Sequence, residues 1–180
     1  MGFADSFDAK DTTVEFTGWP ADVTGLERVM LTARGDLQRL LSAYFNHTIT
    51  IQPIFANTSP QGVDMDAVSP TNPVTQHRQV HLLCSKKVTC VATSTVRVTS
   101  PPCAKLFLED KFAIGQMFRK LRCAPKFTLC ECGAERGEDG KRTLRRRYLL
   151  TTEGFECDIV EEFPDRDMFD RGAAWLDTIM

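Results

Sequence analysis

Between residues 74 and 163 the chain alternates apolar and polar residues in runs of strand length, broken by short turn-like stretches. Side chains on a strand point to opposite faces in turn, so a period of two commits these runs to half-buried strands rather than helices. "TQHRQVHLLC" and "KVTCVATSTVRV" flank "SKK". "KFTLCECGA" and "KRTLRRRYLLT" flank "ERGEDG", and "TEG" turns into "FECDIVEEF". Five consecutive strands joined by tight turns predict an antiparallel sheet. "TITIQPIF" (48–55) adds a sixth, with Pro53 marking an edge or a bulge. "TTVEFTG" (12–18) reads as one more short strand.

Helical spacing appears in three places. Leu37, Leu40, Leu41, Tyr44 and Phe45 make one apolar stripe and predict a helix over 36–45. "CAKLFLED" and "AIGQMFRKL" read as short helical pieces separated by "KFA". The expected fold is a single α+β domain over 1–180: one antiparallel sheet of about six strands with two to three helices on one face. Residues 57–73, with three prolines, form a polar loop, either a surface excursion or a lid.

Charge and cysteine content narrow the classes. The formal net charge is −2, and the basic run "KRTLRRR" is followed at once by acidic residues, which speaks against a nucleic-acid partner. The first residues lack a basic start followed by an apolar core, and no apolar run approaches the ~20 residues that cross a bilayer. A cytoplasmic chain that does not engage a membrane is expected, as monomer or homodimer. Its seven cysteines are then expected reduced. Cys123, Cys130 and Cys132 could suggest zinc, but Cys130 and Cys132 are expected to share one strand face without a second ligand pair, so buried small hydrophobes are the preferred reading.

Alternation also sorts the charges. In the last strand Phe155, Cys157, Ile159, Glu161 and Phe163 share one face, with Glu156, Asp158 and Glu162 opposite. Arg146 falls with Leu144, Tyr148 and Leu150; Arg78 falls with Val80, Leu82 and Cys84. A buried charge without partner or ligand costs several kcal/mol, so each of the three needs one. Either they pair internally or reach solvent at strand ends, or they serve a concave site for a small carboxylated compound. Arginine grips a carboxylate with two bonds, and a glutamate among apolar groups can move a proton.

Four stretches, "MLTARGDLQRLL" (30–41), "HRQVHLLC" (77–84), "AIGQMF" (113–118) and "RRYLLTTEGFECDIVEEFP" (146–164), make the chain resemble the chorismate lyase family, strongest over 26–165. UTRA ligand-sensing domains share that fold. The resemblance implies an antiparallel sheet with helices closing over an internal ligand, and no metal or organic cofactor. It implies that Arg78 holds a substrate carboxylate and that Glu161, seven residues after Gly154, is the catalytic glutamate. Leu37 and Ile114 would contribute backbone contacts to the substrate. Bacterial members often carry a second arginine in "G-R-T" where this chain has "VATSTV"; Arg146 is the candidate replacement. Three functions follow: a lyase that eliminates pyruvate from a carboxylated ring compound, giving 4-hydroxybenzoate if the substrate is chorismate; a cyclase, isomerase or pericyclic catalyst of specialised metabolism acting on a carboxylated or polycyclic compound; or a small-ligand-binding module.

Overall fold

A computed structural model describes residues 16–137 and 140–177. Its centre is one six-stranded sheet in the order β1-β2-β3-β6-β5-β4, antiparallel throughout. The strands are β1 (Ile49–Ser59), β2 (Val74–Cys84), β3 (Lys87–Val98), β4 (Lys126–Arg136), β5 (Arg142–Thr152) and β6 (Phe155–Phe163). The α+β class and the single antiparallel sheet agree with the alternation in the sequence.

Among the described residues five short α-helices accompany the sheet: α1 (Gly25–Leu31), α2 (Leu37–Phe45), α3 (Pro101–Ala104), α4 (Ile114–Leu121) and α5 (Asp167–Arg171). α2 follows the predicted 36–45. α1 was not predicted, although Thr24 and Glu27 form a reciprocal capping box, with Thr24 N–H donating to Glu27 at 2.8 Å. α3 runs directly into a π-helical turn, Lys105–Glu109.

Two expectations about the ends and the loop change. Residues 16–18 are not strand, and 12–15 of the expected first strand lie outside the described residues. The polar loop starts later than 57, because Asn57, Thr58 and Ser59 still pair with β2. Its Val68 is buried in the core and its Asp66 bonds Lys105 at 2.8 Å.

The strands are not joined in consecutive hairpins throughout, which corrects the sequence reading. α3 and α4 carry the chain from β3 to the far edge of the sheet, where β4 begins. Two hairpins then return inward, so β6 lands beside β3 at the centre. The β5–β6 turn depends on Gly154, whose φ is +76° and whose added Cβ would lie 2.2 Å from the Ser100 hydroxyl.

The inward sheet face carries two apolar clusters. One joins α1, α2 and α5 to Leu144 and Phe163. The other joins α3, the π turn and α4 to Tyr148, Leu150 and Phe155. Phe155 is clamped edge-on by Phe107 and Phe118, with centroids 5.3 and 5.7 Å away. Truncating such a ring to alanine costs about 3–5 kcal/mol. The opposite face carries exposed ion pairs such as Arg147–Asp158 and Arg145–Glu131.

Candidate functional site: a polar seam under two helix starts

The seam between the two apolar clusters is polar. Strand pairing sets two neighbouring inward rows across it: Val80, Ala92, Glu161, Arg146 and Cys132, then Arg78, Ser94, Ile159, Tyr148 and Leu129. β3 contributes only Ala92 and Ser94 at this level, and the small side chains leave room beneath the helices. A cavity of about 410 Å³ opens there, a size suited to a small molecule. With strands ~4.8 Å apart and a rise of ~3.4 Å per residue, the Cα atoms of Arg78 and Glu161 are separated by about 12 Å. That gap fits a ring compound between the two side chains.

Glu161 forms one end. It is buried yet lines the cavity. Arg146 Nε donates to its Oε2 at 2.7 Å, and the Tyr148 hydroxyl donates to its Oε1 at 2.9 Å. Arg146 Nη2 lies 2.6 Å from the same Oε2, but at an angle that makes no hydrogen bond. Burial, reinforced by the Glu161 charge, pushes the Tyr148 phenol well above its ordinary pKa, so it stays protonated and donates. Tyr148 also lines the cavity. It shares the inward face with Arg146 in the sequence pattern, and that periodicity could have nominated it.

Arg78 forms the other end. Among the described residues its guanidinium has no hydrogen-bond or ion-pair partner; it rests over the Phe107 ring at 5.5 Å, which the π turn brings beneath it. Burial pushes its pKa below the usual arginine value, with the Cys157 thiol opposing weakly. A half-buried cation without a counter-charge is a place where an anion gains energy.

The roof is made of two helix starts. Leu37 and Ile114, the first residues of α2 and α4, both line the cavity. Neither helix has a side-chain N-cap bond: Asp36 bonds Arg39 at 2.7 Å instead, and Ala113 has no group to offer. The backbone N–H groups of Arg39 and Gln116 donate to the N-cap carbonyls of Asp36 and Ala113 at 2.9 Å, so among the described residues the N–H groups left for an acceptor are those of Leu37 and Gln38 in α2 and of Ile114 and Gly115 in α4. The two starts touch, since an added Cβ on Gly115 would lie 3.5 Å from the Gly35 carbonyl.

Four of the five expected site residues thus surround one cavity: Arg78, Glu161, Leu37 and Ile114. Arg146 does not reach it. Its side chain is fully buried and committed to Glu161 and to the carbonyls of Leu31 and Ala33, at 2.7 and 2.8 Å. The expectation that it binds substrate is corrected accordingly. A larger depression outside α2, about 660 Å³ and lined by Gln38, Ser42 and His47, is open to solvent and holds no buried charge.

The cysteines are dispersed. Among the described residues no group of three His, Cys, Asp or Glu could hold a metal ion. Cys130 and Cys132 do not share a face as expected, because a bulge between Leu129 and Glu131 shifts the register, leaving Cys130 exposed and Cys132 half-buried. Burial pushes the Cys132 thiol up to about 11. No described helix is long and apolar enough to cross a membrane. Comparison with protein families and with curated proteins finds no match.

Proposed function

We propose that the chain is a small-molecule enzyme that binds a carboxylated ring compound in the seam cavity and moves a proton with Glu161. The observation that supports it most is the pairing of Arg78, which has no partner among the described residues, with a buried, oriented Glu161 across one cavity. Arg78 and the helix starts hold the carboxylate, and the Glu161 carboxylate faces the ring.

The resemblance to chorismate lyases makes pyruvate elimination the first reaction to test. Glu161 would take the proton from the ring carbon beside the ether carbon. The ether C–O bond then breaks, enolpyruvate leaves and becomes pyruvate on taking up a proton, and the ring becomes aromatic. Purified protein incubated with chorismate is then expected to release 4-hydroxybenzoate and pyruvate, seen by mass spectrometry. Glu161→Gln should keep the shape and slow turnover by roughly 10²–10⁴-fold. Equal rates for Glu161→Gln and the parent would remove this role.

One observation favours a second reading. Arg146, the candidate for a second carboxylate anchor, is spent on Glu161, so Arg78 is the one inward arginine of the sheet at the cavity, while Arg34, Arg39 and Arg119 line it from the helix side. A cyclase, isomerase or pericyclic catalyst needs a shaped cavity and one or two well-placed polar groups, and Arg78 with Glu161 on the sheet side meets that need without a second sheet arginine. Unconsumed chorismate would favour this reading, and tight ligand binding without turnover would favour a binding module.

A further inference from the structure

Arg146 is more than the counter-ion of Glu161. Nε reaches down to the Glu161 carboxylate in the floor, while Nη1 donates upward to two backbone carbonyls, Leu31 and Ala33. Leu31 ends α1, and four residues after Ala33 the chain begins α2 at Leu37. The connecting residues Arg34, Gly35 and Asp36 all line the cavity. The guanidinium carbon lies over the Tyr148 ring, 4.5 Å from its centre. One planar, fully buried group therefore spans from the proton-transferring carboxylate to the segment that presents the α2 helix start.

We propose that Arg146 is a positioning residue that couples the two sides of the cavity, setting at once the orientation of Glu161 and the placement of the α2 start above the ligand. This rests on the cavity being a ligand site. A guanidinium can make both sets of bonds because its donors diverge in one plane. A lysine ammonium keeps the charge but has the reach for one set only.

The test uses benzoate, which reads the Arg78 and helix-start end, and 4-hydroxybenzoate, whose hydroxyl adds a donor toward Glu161. Both affinities are measured by calorimetry. The parent should bind 4-hydroxybenzoate more tightly than benzoate. Arg146→Lys should weaken benzoate at least about fivefold and bring the ratio of the two affinities toward one, although the residue touches neither probe. Glu161→Gln should lower the ratio while leaving benzoate within about twofold.

If Arg146→Lys does not fold, the double variant Arg146→Gln/Glu161→Gln removes both buried charges and keeps the net charge of the pair at zero. It should still bind benzoate at least about fivefold more weakly than the parent. Parent-like affinity and ratio in the folded Arg146→Lys variant, or parent-like benzoate affinity in the double variant, with only the melting temperature lowered, would overturn the proposal and leave the cavity reading standing. Probe binding that is absent in the parent, or unchanged in Arg78→Ala, would instead sink the cavity reading and the proposal with it.

Discussion

Among the described residues two arginine–glutamate pairs are buried, and their surroundings differ. Arg166 and Glu27 form a closed pair: Nε and Nη2 both donate to Glu27, Nη1 donates to the Asp22 carboxylate at 2.5 Å, and Nη2 to the Asp22 carbonyl at 2.6 Å. Glu27 in turn caps α1. Nothing in that set faces the cavity. Arg146 and Glu161 form an open pair. One Arg146 nitrogen lacks a hydrogen bond, a phenol replaces the second carboxylate, and Glu161 stands on a cavity wall. The same two residue types give a staple in one place and a candidate site in the other. What separates them is the completeness of the network and access to a cavity, not burial.

Breaking the closed pair should give the largest effect. Arg166→Ala leaves Glu27 buried without its main partner, and the expected loss is about 3–5 kcal/mol of stability. Thermal or denaturant unfolding checks the size, and benzoate binding by the remaining folded protein should be unchanged. The pair also fixes a pH signature. Burial opposes the Glu27 carboxylate, but the bonds from Arg166 and Thr24 outweigh it and hold its pKa below 4.5. A folded-state pKa below the unfolded value contributes stability that is present above that unfolded value and lost as pH falls through the folded one. Stability should therefore decline below about pH 4.5, and Arg166→Ala should flatten that slope. A parent-like stability for Arg166→Ala would mean the pair is no staple.

Arg78→Ala sharpens the contrast from the cavity side, with a smaller effect. It removes a partly exposed side chain that no described carboxylate pairs with, so stability should hold while benzoate affinity falls about 10–100-fold, the worth of a charge-assisted contact. A variant that binds as well as the parent yet unfolds more easily would make Arg78 a structural cation resting on Phe107.

Alternation alone placed Glu161, Arg146 and Arg78 on the inward face, because a strand has only two faces and the apolar neighbours choose between them. What alternation cannot carry is order across the sheet. Nothing in "FECDIVEEF" says that it lies beside β3, yet that pairing brings Glu161 opposite Ala92 and onto the same cavity as Arg78. The same limit explains Arg146. Its face was legible, but its partners Leu31 and Ala33 are more than a hundred residues away, on a turn whose position depends on tertiary packing. The bulge at Cys130 escaped because a single extra residue leaves no compositional mark.

The smallest expected effect tests the register on which the comparison stands. Glu161 and Glu162 are adjacent and chemically alike, but their sheet partners differ. Glu161 lies opposite Ala92 and Arg146 on the inward face; Glu162 lies opposite Val91 and Arg145 on the outward face, where it is exposed. Arg145 takes its ion pair from Glu131 on β4, at 2.9 Å. Glu162→Gln thus removes no buried partner and leaves the Arg145–Glu131 pair intact, and a surface change of this kind should stay within about 0.5 kcal/mol of parent stability. Probe affinity and turnover should match the parent as well. Measured beside Glu161→Gln, it isolates the side of the sheet as the one difference between the two changes. A severe loss in Glu162→Gln with a silent Glu161→Gln would shift β6 by one residue, turn every inward assignment on that strand outward, and remove the open pair from the cavity altogether.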